Sequence, residues 1–73
     1  MRNLSMLRTG ESGIVAATDC RDAFGRRLLA MGFTPGTPVQ LQRTAPAGDP
    51  VVVLLRGYRL ILRREEAARI SLK

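Results

Sequence analysis

The sequence predicts a mainly β fold: a small, partly open, five-stranded antiparallel barrel with one α-helix packed over an end. Three observations lead there. Short apolar runs, several alternating apolar with polar, recur between Gly, Pro and Asp punctuation. Only one stretch, at about residues 20–31, carries helical periodicity. And 73 residues make one small domain, spanning 1–73, that cannot fill a wide barrel.

The elements follow in order. Leu4, Met6 and Leu7 open the chain, and Thr9 to Gly13 (TGESG) reads as a turn. Gly13 to Thr18, with Ile14 and Val15, is the first strand. Asp19 or Asp22 can cap the helix that follows, because a short carboxylate accepts the free N–H groups of a first turn. Phe24, Leu28 and Met31 fall at i, i+4 and i+7 and predict one apolar helix face. Gly25 lies inside that helix, where glycine costs about 1 kcal/mol relative to alanine. Gly32 is the stop, with Phe33 folded back on Leu28 in a Schellman arrangement. Pro35-Gly36 gives a fixed φ and then a residue that tolerates positive φ, the composition of a type II turn.

Thr37 to Thr44 alternates, with Val39 and Leu41 on one face and Gln40 and Gln42 on the other. Pro38 belongs at the start or edge of this strand, since it lacks a ladder donor. Ala45 to Pro50 (APAGDP) is a hairpin loop. Pro50 to Arg56 (PVVVLLR) is a continuous apolar strand and is expected to be covered on both faces. Gly57 punctuates it. Tyr58 to Arg63 returns as a strand with Tyr58, Leu60 and Leu62 on one side and Arg59, Ile61 and Arg63 on the other. Glu65 to Ala68 suits a short helical turn, near 64–68, and Arg69 to Lys73 a closing strand with Ile70 and Leu72 inward.

Charge and composition restrict the function. The net charge is +6, and eleven of the twelve basic residues are arginine. Residues 51–73 hold +4 of that excess. Such a balance attracts nucleic acid, anionic lipid or an acidic protein face. No run reaches the ~20 apolar residues of a membrane span, and the first residues lack the apolar stretch of a secretory signal. A single Cys20 permits no internal disulfide. These features together read as a cytoplasmic protein. With no histidine, the chain lacks an imidazole base. It has neither a G-x-S-x-G elbow nor a phosphate-binding G-x-x-x-x-G-K-S/T loop. The reading is therefore non-enzymatic, with no cofactor.

Four motifs carry a resemblance over essentially the whole chain. An L-x-x-L-x-x-G-E start falls on Leu4, Leu7, Gly10 and Glu11. R-R-L-x-x-M-G-F-x-P-G-T falls on Arg26, Arg27, Leu28, Met31, Gly32, Phe33, Pro35, Gly36 and Thr37. P-x-G-D-P falls on Pro46, Gly48, Asp49 and Pro50, and G-x-x-L-x-L-R-x-x-E-A on Gly57, Leu60, Leu62, Arg63, Glu66 and Ala67. The sequence resembles the FeoA family of small cytoplasmic accessory proteins of ferrous-iron transport. The resemblance implies an SH3-like barrel and association with the cytoplasmic GTPase region of a FeoB-type membrane transporter. A similar domain ends some metal-dependent repressors, so a detached regulatory module of such a repressor is an alternative function.

Each candidate site has a structural explanation beside the functional one. Arg26, Arg27, Met31, Pro35 and Gly36 form the expected partner-binding surface, because arginine and methionine are favoured at interfaces. A solvated helix face accounts for the two arginines equally well. Gly32, Phe33 and Gly57 are expected to be structural turn residues. Arg59 and Arg63 read first as charges that protect an edge strand from aggregation. A nucleic-acid-binding barrel is a further alternative on charge, but three aromatic rings offer little for base stacking. Cys20, flanked by Asp19 and Asp22, packs as a small apolar residue or serves as an adventitious metal ligand. The open barrel edge could pair with a second copy.

Overall fold

The computed structural model describes residues 2–73. A 3-10 turn, Leu4–Met6, precedes β1 (Ser12–Thr18), α1 (Ala23–Ala30), β2 (Pro38–Thr44), β3 (Val51–Leu55), β4 (Tyr58–Leu62), α2 (Arg64–Ala67) and β5 (Ile70–Leu72). The strands form one sheet in the order β4-β3-β2-β1-β5, antiparallel throughout. β4 and β5 are its two ends and share no ladder, so the barrel is partly open.

Alternation builds the core. Val39 and Leu41 from β2, Val51, Val53 and Leu55 from β3, and Ile70 and Leu72 from β5 are all buried. Leu4 and Leu7, Val15 from β1, Leu28 from α1, Phe33, Leu62 from β4 and Ala67 from α2 complete the cluster. Bulges between Val15 and Ala17 and between Leu41 and Arg43 shift the register and bend the sheet toward closure.

Two sequence expectations, the cover of β3 and the length of the helix, are corrected. β3 is covered on one face only: Val52 and Leu54 are half-exposed beside the buried Val51, Val53 and Leu55. A small open barrel has one inside, and among the described residues no second layer lies over β3. Tyr58 lies on the inward side of β4 yet is 71% exposed, because it stands at the hairpin end beyond the core. The expected helix at 20–31 is shorter, Ala23–Ala30, since Asp22 and not Asp19 is the N-cap. The 3-10 turn at Leu4–Met6 has no periodic signal; Asn3 holds it by accepting from the Ser5 N–H.

The β3–β4 connection is a two-residue turn, Arg56-Gly57, with φ of 51° and 84°. Both central residues being left-handed is the mark of a type I′ hairpin, whose twist matches that of the strands. Arg56 is therefore in the turn and not in the strand that the apolar run implied.

Candidate functional site

The helix end and the bend after it are fixed by the local sequence. The Asp22 carboxylate accepts from the Gly25 N–H at 2.9 Å and starts α1. At the other end the Gly32 N–H donates to Leu29 O and the Phe33 N–H to Leu28 O, at 3.1 and 3.3 Å. Gly32 takes φ 118°, and this bond pair is the Schellman closure. Phe33 is fully buried, so the helix stop is anchored to the core.

The bend is held from several sides. The Thr37 N–H donates to Thr34 O at 3.1 Å across Pro35-Gly36, and Gly36 takes φ 89°. The Gly36 N–H donates to Val15 O and the Val15 N–H to Thr37 O, which stitches the bend to β1. Thr18 Oγ1 donates to Phe33 O at 2.7 Å. Arg56 reaches Thr34 and Thr37 from the β3–β4 turn. A bend with this many fixed partners presents one shape to a partner, which keeps the entropy cost of docking low.

On this frame Arg26 and Arg27 are exposed, Met31 is half-buried against the core, and Pro35 and Gly36 are exposed at the turn. Arg27 and Met31 lie at i, i+4 and share a stripe; Arg26 lies on a neighbouring one. Neither arginine takes part in an ion pair among the described residues.

Phe24 completes that stripe and was misplaced by the sequence. The i, i+4, i+7 pattern put it on the core face with Leu28. In the fold Phe24 is 58% exposed, and α1 buries Gly25 and Leu28 instead. The Arg69 guanidinium lies 5.8 Å from the Phe24 ring centroid, a cation–π distance. A shallow hollow beside Phe24 is lined by Ala23 and Arg27. The usable signal was Gly25, since a glycine inside a helix allows close approach of other backbone, here that of Asp19 and Cys20.

Cys20 is exposed. Its flanking acids are engaged elsewhere. Asp19 pairs with Arg21, and Asp22 with Arg69. Arg69 and then the Gly25 N–H pull the Asp22 carboxyl down to about 2. Arg21 likewise lowers Asp19. Among the described residues no three His, Cys, Asp or Glu side chains gather as a metal-ligand set. None of the described helices is long and apolar enough to cross a membrane.

The FeoA domain model matches residues 2–73. The chain belongs to the FeoA domain family. FeoA is the family of ferrous-iron transport that the four motifs resemble. A curated relative, the Fe(2+) transport protein A/Fe(2+) transporter FeoB fusion protein of Porphyromonas gingivalis, is 37% identical over 70 residues. That alignment takes in 96% of this chain and 8% of the fusion protein's length. Among solved structures, FeoA from Chlorobium tepidum superposes with a TM-score of 0.87 at 35% identity, covering 97% of this chain and 68% of that one. FeoA from Stenotrophomonas maltophilia, complexed with zinc and described as an SH3 domain protein, gives 0.90 at 31% identity, covering 100% and 91%. The chain therefore has the SH3-like fold.

Proposed function

We propose that this chain is a non-enzymatic accessory of ferrous-iron transport that acts by binding the cytoplasmic GTPase region of a FeoB-type transporter. The observation that carries the proposal is the fusion protein, in which a stretch like this one shares a polypeptide with FeoB. Covalent linkage keeps two binding partners at high effective concentration, and it favours partners that already associate. The family match across residues 2–73 supports reading the chain as a single domain, working in the cytoplasm beside the transporter.

The docking surface in this proposal is the stripe Phe24, Arg27 and Met31 with Arg26 and the Pro35-Gly36 turn. Exposed aromatic and arginine side chains and a half-buried methionine beside a rigid bend have the composition of a binding patch. Arg27→Glu is the test, because Arg27 is exposed and unpaired among the described residues. The variant is expected to keep its circular dichroism spectrum. In a pull-down with the transporter's soluble region its affinity should fall about tenfold or more. Cells lacking the chain should recover Fe(II) uptake with the wild type and with Cys20→Ser, but not with Arg27→Glu. Intact binding and uptake with Arg27→Glu would remove this surface from the proposal.

A further inference from the structure

The two ends of the sheet are unlike. β5 is covered: Asn3 bridges Ser71, and the Leu72 N–H donates to Arg2 O at 3.0 Å. β4 pairs with β3 on one side, and no other strand among the described residues meets it. Across the two-residue turn, Leu55 and Tyr58 form the closing hydrogen-bonded pair. Pairs then alternate, so Tyr58, Leu60 and Leu62 bond to β3 while Arg59 and Ile61 direct N–H and C=O outward. The two most exposed large apolar side chains, Tyr58 and Ile61, each 71% exposed, lie on this same strand. An uncovered edge with exposed apolar side chains is the arrangement that accepts an added strand.

Charge selects the occupant. From Arg56 to Arg64 the sequence holds four arginines and no acid. Arg56 and Arg64 are spent on internal hydrogen bonds. Arg59 gives one bond, from Nε to Gln42 at 3.1 Å, which leaves its outer N–H groups for a ligand. It borders a groove of about 360 Å³ formed with Gly10, Gln40, Gln42 and Arg43, in which no carboxylate takes part. A second copy fits this charge poorly. It brings the same run from Arg56 to Arg64, with four arginines and no acid to meet Arg59. Like charges directly opposed across strands are destabilising.

We infer that β4 is a docking edge for an extended acidic segment of another protein. The segment adds as a sixth strand on the Arg59 and Ile61 backbone. Its carboxylates lie on the face of Arg59 and meet that guanidinium, and its apolar residues lie on the opposite face, beside Tyr58. This goes beyond the α1 surface proposed above. The test below contains no transporter, so its failure would leave that proposal standing.

The probe is a short synthetic peptide in which glutamate and valine alternate, titrated into the isotope-labelled chain. The Arg59 and Ile61 amides should shift and become protected from hydrogen exchange, and the Asn3 and Ser71 amides should not. A lysine–valine peptide should leave all of them unmoved. Ile61→Pro removes the outward N–H together with the exposed Ile61 side chain, and should abolish binding while the β3–β4 ladder stays intact. Arg59→Glu, which leaves the backbone untouched, should weaken binding about tenfold or more. Unshifted Arg59 and Ile61 amides at saturating peptide would overturn the inference. So would concentration-dependent self-association through β4 in sedimentation, or binding of anionic phosphatidylglycerol vesicles with no response to the peptide.

Discussion

Gly25 stands mid-helix where alanine would ordinarily be preferred. A Cβ built there would lie 1.8 Å from Asp19 O and 2.6 Å from Cys20 Cα. Both are backbone atoms, and the Asp19 N–H is itself tied to Arg69 O at 2.9 Å, so the chain has little room to give. Helix propensity would reward Gly25→Ala by about 1 kcal/mol, whereas forcing an atom into a packed contact costs about 1–3 kcal/mol and more when backbone must move. The clash wins. Gly25→Ala is expected to lower stability by about 2 kcal/mol or more in urea denaturation, and a stabilised variant would show that the β1–α1 approach relaxes freely. The same contact explains why Phe24 is outside: the helix must turn its smallest side toward Asp19, and its neighbour is rotated into solvent.

At the scale of the element, α1 is held at its start by one carboxylate with two roles. Asp22 caps the helix through Gly25 and pairs with Arg69, beyond the end of α2. Its folded pKa of about 2 lies below the ordinary 3.8. A depressed carboxyl contributes stability that is present above the unfolded pKa, and this is lost as pH falls through the folded value. Asp22 therefore supports α1 above about pH 4 and ceases to between pH 4 and 2, the window set by those two values. Asp22→Asn retains a capping oxygen but not the charge. Its stability, followed by thermal melts against pH, should lose that part of the acid dependence; an unchanged acid limb would assign it to the other carboxylates.

Across the whole molecule, α2 is more than the short helical turn expected at 64–68. Ala67 is fully buried, and Arg64 joins three segments remote in sequence. Its guanidinium donates to Gly48 O at 2.8 Å and to Ser5 O at 3.0 Å, while its N–H meets the Asp49 carboxylate at 3.0 Å. The side chain thus ties the 3-10 turn and the β2–β3 loop to α2. Arg64→Ala is expected to cost about 1 kcal/mol, or roughly 4–8 °C in Tm for a domain of this size. Lysine should restore little of it, since one ammonium does not reproduce a fork that serves two carbonyls. A calorimetric scan of the two variants checks both statements.

The strands, the inner faces of those that alternate, the helix stop at Gly32 and the bend at Pro35-Gly36 were legible in the sequence, whereas the continuous apolar run of β3 hid which of its faces is inside. Each depends on residues within a few positions of one another: alternation sets a strand's inner face, and a glycine or proline sets a local φ. The candidate surface was legible in part, through Arg27, Met31 and the bend. Phe24 was not, because its exposure follows from the contact of Gly25 with Asp19 across the chain's return. Nor was the asymmetry of the sheet edges. That Arg2 and Asn3 cover β5 while β4 lies open depends on pairing between residues some seventy positions apart. Local chemistry chose the elements, and only their assembly in space decided which side chains and which backbone edge remain free to bind.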